Sequence, residues 1–367
     1  METTYIHRND LQIGKVVAED IFSNTKYPII YKNTQITHEL LHVLKAFQIV
    51  KVPIILEENV QQPIGLDTFS DHLEEIQATI PKPVLTFEKI YHNAVEEFKK
   101  VFFDWESGSK IEITKVRNII LPLVDKVLED RAILFKLNSY STPKDYLYHH
   151  CIATGLISAV ITQKLGYERG FVLQMAIAGT LADCGMAKVP PHIRDKKGTL
   201  TEQEFLLIRQ HPLFSFKMIE SLPAMKEEMK LAIYQHHERL DGSGYIEGLK
   251  LGKISIFAQV IAVADTFHAM TSERVYRSKE SPFKVIEKIN ESEFGKFDIK
   301  GVQALVDLVA ALPLGTAIEL SNLDSGEIMF VNSFAPTRPL VKLVNTGEII
   351  DLSKQRNLYI TQVLSNR

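Results

Sequence analysis

Histidines and aspartates that could hold metal ions gather in otherwise apolar stretches of this 367-residue chain. The histidines, each near the end of a predicted helix, are His149, His150, His211, His236 and His237. Asp183 lies in TLADCGMA and Asp265 in VIAVADTFHAM, where an unpaired carboxylate is costly to bury. Imidazoles and carboxylates together are the ligands of Mn, Fe or Zn in hydrolytic sites. Two such ions about 3.5–4 Å apart can clamp a phosphodiester, so the set indicates metal-dependent phosphohydrolase chemistry.

The adjacent pair His236 and His237 sets a condition on this site. Neighbouring side chains on a helix diverge by about 100°, so both rings cannot face one metal from a helix interior. At a helix end, beside the turn Asp241-Gly-Ser-Gly244, both can reach a dinuclear centre. Taken singly, each histidine has a plainer explanation as a hydrogen-bonded or surface group, Asp183 as a cap, and Asp265 as a partner of Arg274.

The elements that must position these residues are mainly helices. From about 71 to 310, apolar residues recur at three- and four-residue steps. The predicted helices are Phe87–Phe103, Ile111–Leu137, Lys144–Leu165, Gly170–Ala182, Thr201–Ile219, Ala224–Glu238, Ile256–Ala269 and Phe283–Asn290. Thr201 and Glu204 form a capping box, and Gly166 marks a helix end.

Shorter, β-branched segments flank the helices. At the start, strands are predicted at Val16–Ile21, Ile29–Tyr31 and Val50–Leu56, around a helix at Thr37–Phe47. Near the other end they are predicted at Ala317–Leu320, Glu327–Val331, Pro339–Val344 and Leu358–Gln362. The predicted divisions are a small α+β module at 1–57, a linker at 58–70, connecting helices at 71–137, a helical domain at 138–312 and a β-rich module at 313–367.

Composition excludes several classes of protein. Lys plus Arg number 42 and Asp plus Glu 45, a net charge of −3, which argues against DNA or RNA as a partner. Cys151 and Cys184 cannot form a disulfide framework and are predicted to be buried thiols. No signal peptide and no uninterrupted apolar window of membrane-spanning length is evident, so we expect a soluble cytoplasmic protein without a membrane partner.

Four stretches closely resemble the HD-GYP family of the HD superfamily: LADCGMAKVP (181–190), LTEQEFLLIRQHP (200–212), HHERLDGSGYIEGL (236–249) and ISIFAQVIAVADTFHAMTSERVYR (254–277). Members of that family hydrolyse bacterial cyclic dinucleotides, chiefly cyclic di-GMP, at a two- or three-metal centre in an all-helical domain. The resemblance implies a mainly α fold, with an all-helical HD-GYP-like core flanked by the small α+β N-terminal and β-rich C-terminal modules.

The resemblance also implies roles for individual residues. The metal ligands are His150, Asp183, His211, His236, His237 and Asp265, with Asp183 shared between ions and acting as the catalytic carboxylate. The ligand contacts are Tyr245, Arg274 and Arg277, although the two arginines could simply neutralise a helix C-terminus. One or two divalent ions are implied, Fe or Mn first, with Zn, Mg or Ni as alternatives.

The chain departs from the family pattern at positions that matter for chemistry. Ala182 stands in place of the signature histidine and Met186 in place of a lysine that contacts the scissile phosphate. One ion then keeps Asp183 and three histidines, whereas the other keeps only three ligands. Losing a preorganised charge of this kind costs about 10²–10³ in rate, and Lys188 lies about 200° around an ideal helix from Met186.

Two smaller departures accompany them. Ile246 replaces the proline of the GYP motif, which we expect to be tolerated. Tyr146 stands where three-metal members carry a glutamate, so no third ion is expected.

Two functions therefore remain open. One is a cyclic di-GMP phosphodiesterase whose activity is weak or lost; the other is an inactive cyclic-dinucleotide receptor or protein-interaction scaffold. A nucleophilic mechanism is poorly supported, because Cys184 lies in an apolar pattern and no serine elbow or HExxH motif occurs. The long helical stretches at 87–137 and 144–165 favour a homodimer.

Overall fold

A computed structural model of the chain describes residues 3–22, 28–37, 40–41, 44–45, 47, 49–55, 86–273, 279–291 and 295–364. The chain divides into two compact units, Met1–Pro83 and Val84–Arg367. The predicted linker at 58–70 and the first part of the predicted connecting helices, 71–85, lie outside the described residues.

The first unit contains an antiparallel pair of strands around a small core. Strand β1 (Thr3–His7) pairs with β2 (Lys51–Ile55), which confirms the described part of the third predicted strand; β1 was not predicted. The predicted strands at Val16–Ile21 and Ile29–Tyr31 form only isolated bridges. The apolar side chains of these two segments pack into the core of the first unit, although the segments do not form regularly paired strands. The buried residues of this core are Leu11, Val17, Ile21, Ile30, Ile36, Leu44, Val52 and Ile54.

The predicted helix at Thr37–Phe47 lies partly outside the described residues. Leu40, Leu41 and Leu44 are helical, and the Thr37 hydroxyl accepts a hydrogen bond from the Leu40 N–H at 3.3 Å, as expected of an N-cap.

The second unit is built mainly from helices. Their bounds are α1 Phe87–Glu106, α2 Ile113–Glu129, α3 Leu137–Tyr140, α4 Tyr146–Lys164, α5 Arg169–Leu181, α6 Pro191–Arg194, α7 Glu202–Ile208, α8 His211–Ile219, α9 Glu227–Gln235, α10 Ile256–Thr271, α11 Pro282–Glu291 and α12 Ile299–Ala310. Short 3-10 helices occur at Arg131–Phe135 and Cys184–Lys188.

Two predicted helices are interrupted, for local reasons. The prediction Ile111–Leu137 was wrong after Glu129, because Asp130 adopts extended backbone and its carboxylate caps the 3-10 helix that follows. The prediction Thr201–Ile219 was wrong in joining α7 and α8, which are separated at Arg209 and Gln210. The predicted capping box is confirmed at the start of α7, where Thr201 and Glu204 bond to each other's backbone N–H groups.

Helix α4 is the centre of the unit, and glycine brings α5 close to it. A Cβ atom at Gly155 of α4 would lie 2.1 Å from the Thr180 hydroxyl, and one at Gly179 of α5 would lie 2.9 Å from the Gly155 Cα. Helix α4 is buried along most of its length, from His149 to Thr162. This close packing fixes residues of α4 relative to the end of α5.

The C-terminal segment of the unit forms a five-stranded antiparallel sheet in the order β6-β5-β4-β3-β7. The strands are β3 Ala317–Leu320, β4 Ser325–Phe330, β5 Leu340–Leu343, β6 Ile349–Asp351 and β7 Ile360–Val363. The sheet shares one hydrophobic cluster with the helices, to which it contributes Ile318, Leu320 and Val341. Strand β6 was not predicted, because its three residues are too few to show an alternating pattern.

One described stretch, Arg169–Lys188, has the length and apolar composition of a membrane-crossing helix, and 61% of its 18-residue window is buried inside the structure. It comprises α5 and the 3-10 helix after it.

Candidate metal centre

Five elements bring the predicted ligands together. His150 lies in the first half of α4, and Asp265 in the middle of α10. Asp183 immediately precedes the 3-10 helix after α5, and His211 is the first residue of α8. His236 is the C-cap of α9 and His237 follows it, so this adjacent pair lies at a helix end, as the sequence required.

A first group of donor atoms surrounds one oxygen of Asp183. The Asp183 Oδ1 atom lies 3.1 Å from the Nε2 of His211 and 3.4 Å from the Nε2 of His236. These two Nε2 atoms are 3.3 Å apart. With a ring nitrogen of His237, all four donors lie within 4.8 Å of one another.

A second group surrounds the other oxygen of the same carboxylate. The Nε2 of His150 lies 3.5 Å from the Asp183 Oδ2 and 2.8 Å from the Asp265 Oδ1. Donors of His150, Asp183 and Asp265 again lie within 4.8 Å of one another. The two oxygens of Asp183 thus face two different donor groups, which is the arrangement of a bridging carboxylate.

The hydrogen bonds of the histidine rings show which ring nitrogen has a lone pair available for a metal ion. The Nδ1–H of His211 donates to the Ile208 carbonyl at 2.8 Å, and that of His236 to the Ile233 carbonyl at 2.6 Å. Because a carbonyl oxygen only accepts, Nδ1 carries the proton in both rings, and neutral rings present Nε2 lone pairs. These lone pairs point at each other and at the Asp183 Oδ1 atom, which is buried without a hydrogen-bond partner among the described residues. A divalent cation satisfies such convergent acceptors, so the donor set fits a metal.

The protonation equilibria also suit ligation. Burial alone would raise the pKa of Asp183, but the adjoining imidazoles of His211 and His236 hold that pKa well below its usual value. Burial would likewise raise the pKa of Asp265, but the hydrogen bond with His150 instead lowers it. Burial and the neighbouring His236 lower the pKa of His237 well below its usual value, so its ring is neutral at pH 7. Metal ligands must be deprotonated, and these three are.

His268 is a site residue that the sequence interpretation missed. Its Nδ1 lies 3.0 Å from the Nδ1 of His150, and its side chain is buried. The ring of Tyr146 stacks on both imidazoles, at 5.2 Å from His150 and 6.3 Å from His268. His268 is three residues after Asp265, one helical turn, and this spacing was the available signal.

His149 points away from the cluster, although it is next to His150. Its ring packs against Tyr91 and His92, and burial with the charge of His92 lowers its pKa to about 4. Of the five singled-out histidines, it is the one that the described geometry separates from both donor groups.

Tyr245 is held against the cluster by a structured loop. The buried carboxylate of Glu238 accepts hydrogen bonds from the N–H groups of Glu247, Gly248 and Leu249 at 2.7, 3.2 and 2.9 Å. The Tyr245 ring stacks on His237 with centroids 4.6 Å apart and an interplanar angle of 20°. The other predicted ligand contacts, Arg274 and Arg277, lie outside the described residues.

The residues that depart from the family pattern are built into the core. Ala182 is 2% exposed, and its carbonyl accepts a hydrogen bond from the Ser215 hydroxyl at 2.7 Å. Met186 is half-buried and packs against the hydrophobic cluster. The Lys188 ammonium donates to the Trp105 carbonyl at 2.9 Å.

Comparisons with known proteins agree with this motif pattern. The family described as "HD domain" matches residues 123–300. A cyclic di-GMP phosphodiesterase of Pseudomonas aeruginosa, PA4108, is 29% identical over 243 residues, covering 66% of this chain and 58% of that protein. A cyclic di-GMP phosphodiesterase of Thermotoga maritima is 35% identical over 164 residues, covering 43% of this chain and 44% of that protein. The chain therefore spans less than two thirds of the length of these curated relatives.

Among solved structures, Bd1817 of Bdellovibrio bacteriovorus, titled an HDG"Y"P protein, aligns with a TM-score of 0.49 and 15% identity. The alignment covers 84% of this chain and 99% of that one. Residues 123–300 thus match the HD domain family, and the motifs at 181–277 resemble those of the HD-GYP family.

Proposed function

We propose that the chain is a metal-dependent phosphodiesterase of cyclic dinucleotides, acting on cyclic di-GMP in the bacterial cytoplasm with low turnover. The observation that carries this proposal is the placement of Asp183, whose two oxygens face separate groups of metal donors. The names of the relatives, cyclic di-GMP phosphodiesterases, support the substrate class.

In this proposal, Asp183, His211, His236 and His237 hold one ion. His150, Asp183 and Asp265 hold the other. When bound, such ions supply Lewis acidity and a lowered pKa of water for phosphodiester hydrolysis. Fe or Mn fits this mixture of imidazoles and carboxylates.

The protein's own contribution is to keep these donors ready and to limit access of solvent. Both carboxylates stay ionised at neutral pH, as their lowered pKa values require. The side chains of His237, Asp183 and Asp265 are 15%, 14% and 12% exposed, whereas His236 is fully enclosed. A ligand would reach the donors past these three partly exposed side chains, one of which, His237, carries the stacked Tyr245 ring. Arg274 and Arg277 are proposed to complete its binding.

Low turnover follows from the two substitutions. Ala182 removes a ligand of the second ion, so that ion binds with three donors and more weakly. Met186 provides no positive charge for the phosphate, and the Lys188 ammonium is already bonded to Trp105. A missing preorganised charge of this kind lowers the rate by about 10²–10³.

The same observations favour a second candidate, a receptor or scaffold that binds the cyclic dinucleotide without hydrolysing it. A protein partner and a homodimer would belong to that function. Substituting Met186→Lys together with Ala182→His separates the candidates, because it returns the missing charge and ligand. A large gain in turnover supports an impaired enzyme, and binding without any gain supports a receptor.

The direct test is hydrolysis of cyclic di-GMP by the full chain, loaded anaerobically with Mn²⁺ or Fe²⁺. We expect slow, metal-dependent formation of the linear dinucleotide that disappears in Asp183→Ala. Turnover that survives chelation, or that survives in Asp183→Ala, would overturn the proposed enzyme.

A further inference from the structure

The Tyr245 ring, which stacks on His237, is in turn contacted by a further side chain, that of Arg209. The guanidinium carbon of Arg209 lies 4.4 Å from the centre of the Tyr245 ring and 5.7 Å from that of Phe205. The centre of the Tyr245 ring lies 4.6 Å from the centre of the His237 ring. The distance from the guanidinium carbon of Arg209 to the His237 ring therefore cannot exceed the sum of the Arg209–Tyr245 and Tyr245–His237 distances.

Local structure fixes Arg209 at this place. It is the C-cap of α7, whose start is held by the capping box of Thr201 and Glu204. Two residues later His211 begins α8, so Arg209 is close along the chain to a candidate metal ligand. The side chain is half-buried on the tyrosine face.

The charge of Arg209 is not neutralised within the described part of the chain. No carboxylate oxygen there lies within ion-pair distance of its nitrogens, and its side chain makes only the two ring contacts. Arg239, the other cation whose charge acts on Tyr245, is engaged: it donates to the carbonyls of His236 and Glu238 and covers Phe297.

An arginine whose flat face is covered by an aromatic ring keeps its N–H donors at the edge of the guanidinium plane. That planar fork matches two oxygens of a phosphate. A cyclic dinucleotide carries two phosphodiesters, and the metal donors can take only one of them. A cation beside the cluster, outside the metal donors, can bind the second.

We propose that Arg209 binds the second phosphodiester of a cyclic dinucleotide, the one not held at the metal donors, on a platform made by Tyr245. This inference rests on the proposed ligand class. Arg209 supplies the ligand with a positive charge that Met186 does not supply. This charge acts on the second phosphodiester and not on the scissile phosphate.

The test is the dissociation constant of radiolabelled cyclic di-GMP for Mn²⁺-loaded full-length protein, measured by rapid filtration before turnover. Arg209→Gln should weaken binding by roughly 10–100-fold, the effect of a charge-assisted hydrogen bond. Arg209→Lys should recover part of it, because the charge remains and the fork is lost. Metal content should equal that of the wild type in both variants.

Arg169→Gln is the matched control. It removes the same charge from the first residue of α5, about 18 Å along that helix from its end beside Asp183. Its affinity should be that of the wild type.

The outcomes are distinguishable. Equal affinities of Arg209→Gln and wild type would overturn this inference and leave the proposed function standing. Weakened binding of cyclic di-GMP with unchanged binding of cyclic di-AMP would also overturn it, since Arg209 would then read guanine. Absence of binding by the metal-loaded wild type would overturn the proposed function and this inference together.

Discussion

At the scale of single residues, the orientation of His150 depends on His268. The Nδ1···Nδ1 contact of 3.0 Å fixes which nitrogen of His150 is used internally and leaves Nε2 facing Asp183 and Asp265. Outer partners of this kind orient metal-binding histidines, and their loss typically costs 10–100-fold in metal affinity.

We therefore expect His268→Ala to weaken the second ion by about 10–100-fold while the first ion stays bound. Titration with Mn²⁺ under a competing chelator measures both affinities. His268→Asn, which can still hydrogen-bond, should recover part of the loss, and exposed His192→Ala should change nothing. Equal metal affinity in His268→Ala and wild type would contradict this role.

At the scale of elements, the position of Asp183 depends on a glycine. A Cβ atom at Gly185 would lie 2.2 Å from the His211 carbonyl oxygen and 2.4 Å from the Ser215 nitrogen. The Gly185 N–H also donates to the Ser215 hydroxyl at 2.8 Å. The 3-10 helix that follows Asp183 can therefore approach α8 only because residue 185 has no side chain.

Gly185→Ala should push this 3-10 helix away from α8, destabilise the protein by about 1–3 kcal/mol, and lower metal occupancy. Thermal unfolding and metal analysis of the same sample measure the two effects. Gly198→Ala is the matched control, since a Cβ atom there meets nothing within 4 Å. If both variants unfold alike and keep their metal, the close approach does not position Asp183.

The elements that the sequence predicted well are those whose buried residues follow a regular apolar pattern. Helix α10 was predicted within two residues and strand β3 to the residue, because burial dictates their patterns. The break between α7 and α8 was not predicted, because apolar residues recur at helical spacing on both sides of Arg209 and Gln210.

For the candidate site, the resemblance to the HD-GYP motifs implied the six proposed ligands. It could not show that the two Asp183 oxygens face different groups, which depends on tertiary packing. His268 and Arg209 were missed for the same reason: their contacts join separate elements.

At the scale of the whole molecule, the C-terminal sheet is tied to the helices by more than its apolar face. Arg338 pairs with Glu287 of α11 through two contacts, Nε to Oε1 at 2.8 Å and Nη2 to Oε2 at 3.0 Å. The hydroxyl of Thr337 donates to the same carboxylate at 2.8 Å. The sheet and the helices should therefore unfold together.

Arg338→Ala should destabilise the unit Val84–Arg367 by about 1–3 kcal/mol, because it leaves the half-buried Glu287 carboxylate short of its partner. Chemical denaturation followed by helical circular dichroism measures this change. Arg356→Ala removes an exposed arginine from the same segment and should have little effect. A loss of sheet signal with unchanged helical stability would contradict the shared core.

The central claim is that Asp183 joins two metal sites, and counting metal tests it most directly. The full chain, saturated anaerobically with Mn²⁺ and passed through a desalting column, is analysed for metal per chain beside Asp183→Asn. We predict one tightly bound ion, a second that appears only at higher free Mn²⁺, and the loss of both in Asp183→Asn. A wild type without metal, or an Asp183→Asn variant that keeps the wild-type content, would contradict the account.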